Sequence, residues 1–124
     1  MTDAAPPIER LKTRPEFLAC AKAPSCAKGA VLVQARPRDD RPLVRVGFTA
    51  TKRIGNAVAR NRAKRRMRAA AHERLPLLAR TGHDYVLVAR TGILTRDFQA
   101  LLGDLDAAMT AAHAKLDAKT GGVS

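Results

Sequence analysis

Eight cations, Lys52, Arg53, Arg60, Arg62, Lys64, Arg65, Arg66 and Arg68, fall within seventeen positions of this chain, and no acid stands between Asp40 and Glu73. Their chemistry is phosphate capture. A guanidinium donates in a planar fork that fits phosphate oxygens and base edges, whereas an ammonium acts as a point charge. Like charges at helical spacings of three and four each cost an isolated helix about 0.2–0.5 kcal/mol. Solvated faces avoid that cost by mixing signs, and this one does not, so its partner should be a polyanion. Asn61 adds a neutral group among the arginines that both donates and accepts.

The cations need a helix to present them. It is expected to begin just after Asn56, which can cap it, with Gly55 turning the chain out of residues 49–54. At about 100° per residue, Ala59, Ala63, Met67 and Ala70 share one arc, the buried face. Arg60, Lys64 and Arg68 form one i, i+4, i+8 row, with Asn61, Arg62 and Arg65 behind it. Arg66 falls at the edge of the apolar arc, its stem along the core. Upstream, Pro15 and Glu16 suit a first helical turn, so a short helix is expected over 15–23, packing through Phe17 and Leu18. Residues 30–36 and 43–50 read as strands joined by the turn-forming 37–42, and should pair antiparallel. Residues 84–90 are nearly all apolar, which suits a central strand. Phe98, Leu101, Leu102, Leu105, Met109, Ala112 and Leu116 make one helical stripe, with Thr95 as N-cap, Asp97 in the first turn, and Gly121 and Gly122 as the stop.

The 124 residues suit one domain, and the net charge of +12 again favours an anionic partner, nucleic acid before membrane surface. Residues 1–8 read as a disordered lead-in, 9–118 as a single nucleic-acid-binding α/β domain, RNA and DNA not being separable from the basic stretch alone, and 119–124 as a flexible tail. The element order gives an α+β fold, an α/β sandwich whose helices cover a small mixed sheet. With no Trp, one Tyr and three Phe, the core should be thin and aliphatic. No apolar run spans a bilayer and no secretory signal opens the chain, so the expected location is the cytoplasm, with Cys20 and Cys26 as free thiols. The acids are scattered: Asp39 and Asp40 sit in a turn, and Asp104 and Asp106 point to different faces of the last helix. His72, His83 and His113 share no metal-ligand spacing with the cysteines. All read as ordinary surface, so no catalytic residue and no metal site is assigned. A DNA-binding regulator lacks its two-helix turn and dimerisation heptads here.

The residues Arg60-Asn61-Arg62, followed by Ala63-Lys64-Arg65-Arg66-Met67-Arg68 and preceded by Gly47-Phe48-Thr49 and 52–58, resemble the RNR signature of the bacterial ribonuclease P protein family. The resemblance extends to Arg10-Leu11 and Phe17 upstream and to 84–90 downstream, about residues 9 to 115 in all. It implies a subunit that binds a large catalytic RNA, which removes the 5′ leader of precursor transfer RNA with divalent ions, Mg, held at the RNA and no cofactor on the protein. It implies catalytic-RNA contacts for Arg60, Asn61, Arg62, Lys64, Arg65, Arg66 and Arg68. It implies leader contacts for Phe17, Lys52, Arg53 and Arg90, with Phe17 as a stacking surface or a core residue. The family fold it implies has a left-handed strand-helix-strand crossover, as in the second domain of the fifth small-subunit ribosomal protein, whereas chain twist alone favours the right hand. The family's second aromatic, a turn after the first, falls here among Cys20 and Ala21, which implies weaker leader stacking. A small ribosomal-type structural protein is the alternative; it needs one RNA surface, and this chain offers two.

Overall fold

Alternating apolar residues put a single sheet between helices. The computed structural model describes residues 7–39 and 41–121, with side chains through residue 118. In order come β1 (Ile8–Arg10), α1 (Arg14–Ala21), β2 (Ser25–Lys28), β3 (Val31–Pro37), β4 (Val44–Thr49), a 3-10 turn (Lys52–Ile54), α2 (Ala57–Leu78), β5 (His83–Ala89) and α3 (Phe98–Gly121). The sheet order is β1-β4-β5-β3-β2. β5 is central as expected, parallel to β4 and antiparallel to β3. The β4-α2-β5 crossover therefore joins neighbouring parallel strands.

β3 and β4, expected to pair, do not touch as a ladder; β5 lies between them. The 38–43 connection is long enough to cross its end. Arg38 and Asp39 N–H donate to the Gly82 carbonyl, and Gly82 N–H donates to Leu43 O. Gly82 has φ 75°, and a Cβ there would lie 2.2 Å from Asp39 O, so only glycine fits this crossing. Burial decides the rest, because β5 is apolar on both faces and gains most from two neighbours. β1 and β2 were not legible as strands. The boundary expected at residue 8 falls inside β1, which runs parallel to β4, while residues 1–6 lie outside the described residues. α3 continues to Gly121, into the expected tail, and residues 122–124 lie outside the described residues.

One face of the sheet presents Val31, Val33, Ala35, Val44, Val46, Phe48, Tyr85, Leu87 and Ala89. Against it lie Ala63, Met67, Ala70, Ala71 and Leu75 of α2 and the predicted stripe of α3, buried from Leu101 to Leu116, with Phe98 half-buried at its start. Each large side chain so buried contributes about 1.5–3 kcal/mol. The opposite face is covered only in part, by α1, through Leu11, Cys20, Val86 and the half-buried Phe17. Leu18, expected beside Phe17, is 49% exposed. The i, i+3 pair Phe17 and Cys20 shares the inward side and Leu18 is rotated off it. Burial pushes the Cys20 thiol up to about 11, and both cysteines are free. Among the described residues no helix is long and apolar enough to cross a membrane.

Asp97, rather than Thr95, caps α3, accepting from Ala100 N–H at 3.2 Å. Thr95 lies in the preceding turn, its hydroxyl 3.4 Å from Gly92 O. Asp104 and His113, expected on the surface, are both only 8% exposed. Asp104 accepts from Ala30 N–H at 3.1 Å and from Arg96 Nε and Nη2 at 2.9 and 2.8 Å, pinning the β2-β3 turn to α3. Arg80 N–H donates to Tyr85 Oη at 2.9 Å, and that hydroxyl lies 2.7 Å from His113 Nε2. With its oxygen accepting from Arg80, the hydroxyl gives its proton to a neutral His113.

Burial, helped by the Arg80 charge, presses the His113 pKa from 6.5 down to about 4. A folded pKa below the unfolded one means stability that is complete above pH 6.5 and lost as pH falls towards 4. The urea midpoint is therefore expected to decline across that window, by on the order of 2–3 kcal/mol in unfolding free energy. His113→Gln, which keeps a hydrogen-bonding group but cannot titrate there, should flatten the decline.

Candidate nucleic-acid interface

α2 starts where the cations need it to. Gly55, at φ 141°, makes the turn, and Asn56 Oδ1 accepts from Ala59 N–H at 2.9 Å. From this start Asn61, Arg62 and Arg65 are exposed, and the Arg60, Lys64 and Arg68 row is half-buried, stems along the helix. Among the described residues none of Arg60, Arg62, Lys64, Arg65 and Arg68 makes an ion pair. The reason is the placement of the acids. Glu16 meets Arg45, Asp39 meets Arg38 and Arg41, Asp84 meets Arg36, Arg38 and Arg45, Asp104 meets Arg96, Asp106 meets Arg74 and Asp117 meets Arg80. Six acids are engaged by arginines outside residues 52–68, so the positive charge on the first half of α2, residues 60–68, stands unneutralised. Arg66 differs from its neighbours. Its guanidinium donates to Leu94 O at 3.3 Å and to Arg96 O, tying α2 to the connection before α3.

The open face of the sheet forms the second surface. Ala27, Leu32, Val88 and Thr49 are successive register partners across β2, β3, β5 and β4, a row apolar except for Thr49 that α1 leaves half-buried. At its end Arg53 and Arg90 join Leu32 and Val88 around a cleft of about 350 Å³. Lys52 is exposed one residue before Arg53. On the α1 side the Phe17 ring lies over Gly47, where a Cβ would come 2.4 Å from Phe17 Cε1. The structure thus brings Phe17, Arg53 and Arg90 to one face. Phe17 both packs on Leu11 and Val86 and stays partly exposed beside Val88.

What holds α1 there was missed from the sequence. Arg36, Asp84 and Arg45 are register partners on β3, β5 and β4, and Asp84 is fully buried between them. Arg45 grips Asp84 through Nε and Nη2 at 2.9 and 2.8 Å, and Arg38 Nη1 adds a bond of 2.7 Å. Burial alone would raise the Asp84 pKa, but these bonds hold it below the usual carboxylate value. Arg45 also reaches Glu16 Oε2 at 2.5 Å, linking the sheet to α1. Glu16 accepts from Thr13 and Lys12 N–H, both at 2.9 Å, and these bonds take its pKa down to about 2. The polar position 84 in an apolar strand was the available signal.

Two basic surfaces thus lie on opposite faces of one small sheet. The sequence model of the family described as Ribonuclease P matches residues 6–113. The chain belongs to the ribonuclease P protein family. The ribonuclease P protein component of Caulobacter vibrioides is 58% identical over 111 residues, covering 89% of this chain and 74% of that one. That of Ruegeria pomeroyi is 48% identical over 110 residues, covering 86% and 88%. The structure of the Staphylococcus aureus RNase P protein shares the fold, with a TM-score of 0.68 at 24% identity, over 83% of this chain and 94% of that one. At the place where the resemblance implies a second aromatic, among Cys20 and Ala21, this chain has a fully buried Cys20 and an exposed Ala21 and carries no ring. Among the described residues no three His, Cys, Asp or Glu side chains gather as a metal site.

Proposed function

We propose that this chain is the protein subunit of a cytoplasmic ribonuclease P that binds the catalytic RNA through α2 and receives the single-stranded leader of precursor transfer RNA on the open sheet face. It is a subunit of an endoribonuclease in which the RNA, with divalent ions such as Mg, performs the scission. The protein contributes binding: phosphates to Arg60, Arg62, Lys64, Arg65 and Arg68 on one side, leader to Phe17, Lys52, Arg53 and Arg90 on the other. The observation that carries this is the largely apolar row ending in Arg53 and Arg90, which make no ion pair among the described residues, on the face opposite the basic helix. A single-stranded leader has exposed base faces for such a row and phosphates for its end.

Phe17 tests it. Stacking of one base is worth about 1–3 kcal/mol, so Phe17→Ala should lower affinity for precursor transfer RNA at least fivefold and leave mature transfer RNA nearly unchanged, measured by equilibrium binding to the assembled holoenzyme. Gly47→Ala drives the ring from its seat. It should give the same selective loss together with about 1–3 kcal/mol of destabilisation from overpacking. Equal losses for both RNAs would reduce Phe17 to a packing residue.

A further inference from the structure

A third cleft, between β1 and the second half of α2, lies away from the open sheet face and shares only Arg68 with the basic surface of α2. It encloses about 460 Å³, and no acid lines it. Val46, Phe48, Ala71 and Leu75 form its apolar floor, and Arg10, Arg68 and His72 stand at its rim. The Arg10 guanidinium carbon sits over the Phe48 ring, 5.3 Å from its centroid. Among the described residues the Arg10, Arg68 and His72 side chains make no ion pair and no hydrogen bond. His72 follows Arg68 by four, so the Arg60, Lys64, Arg68 row runs down α2 directly into this cleft.

We propose that the cleft takes one unstacked nucleotide of the catalytic RNA, its base in the apolar slot against the Arg10 guanidinium and its phosphate on Arg68. Bases splayed from an RNA stack on aromatic rings and guanidinium planes, and their phosphates seek unpaired cations. The slot offers both within one cavity. An aliphatic peptide would match the floor and leave both arginines unanswered. An acidic peptide would match the rim, but continuity with the α2 cation row favours RNA.

The inference rests on the functional reading above, and the test separates the two. Ribonuclease P RNA is bound by the native chain, by Arg10→Gln and by Ile8→Trp, which sets an indole at the mouth from the exposed β1. Affinity is measured, and each base is probed chemically for protection. Thermal unfolding checks that both variants are folded. The native chain is expected to protect one unpaired nucleotide that both variants leave reactive. Their affinity should be about tenfold lower, and the α2 footprint unchanged. Identical footprints and affinities in all three proteins overturn the cleft assignment alone, leaving the slot to a protein segment. No footprint from the native chain overturns the functional reading, and the cleft with it.

Discussion

Replacing Arg60, Arg62 and Arg65 together by alanine should weaken binding to ribonuclease P RNA by about a hundredfold at low salt and make its log-log salt dependence shallower by about three, one for each phosphate no longer neutralised. The side chains make no ion pair among the described residues, so nothing inside the protein is broken by removing them. Alanine is the best helix former, and the change relieves like-charge repulsion along α2. The variant should therefore unfold at the same urea concentration as the native chain or slightly higher. Arg66→Ala should behave in the opposite way, losing stability because its bonds to Leu94 O and Arg96 O hold α2 to the connection before α3. An unchanged salt slope in the triple variant would move the RNA-binding surface off α2.

The largest effect on stability is expected at Asp84. Asp84→Asn should cost about 3–5 kcal/mol in urea unfolding, because it leaves the guanidinium groups of Arg38 and Arg45 around a neutral, fully buried group. That is a large part of the 5–15 kcal/mol typical of a whole domain. Arg36→Ala should cost far less, since its contact is 3.4 Å long and its side chain is 36% exposed. The depressed Asp84 pKa has a definite sign in pH. Its contribution is complete above the unfolded carboxylate value near 4 and is lost as pH falls through the lower folded value. Asp84→Asn should therefore remove part of the acid limb of the stability curve below pH 4, a region distinct from the His113 window above it. Because Arg45 joins Asp84 to Glu16, the same variant should loosen α1 and with it Phe17.

The helices and the central strand were legible because their signals are local and repeated. Asn56 before a run of cations, the stripe from Phe98 to Leu116 and the apolar 84–90 each state their element within a few residues. The edge strands were not, since Ile8-Glu9-Arg10 and Ser25-Cys26-Ala27-Lys28 are too short to show alternation and exist through the neighbours that pair with them. The order of strands depends on which sequence-distant ladder buries more, and residues 37–42, full of turn formers, suggested a direct hairpin instead. Asp104 and His113 were misread for a related reason. A lone acid or imidazole on a helix has the same local context whether it faces water or, as here, Ala30 N–H and Tyr85 Oη. Within the candidate site, the basic row and the cap were readable, while Gly47 under Phe17 and the turning of Arg66 to the protein needed the third dimension.

The subunit role is tested most directly by reconstituting the full chain with a bacterial ribonuclease P RNA at a magnesium concentration too low for the RNA to act alone. The protein is expected to restore cleavage of the 5′ leader from precursor transfer RNA, releasing mature 5′ ends. Tight RNA binding without any restored cleavage would contradict that role.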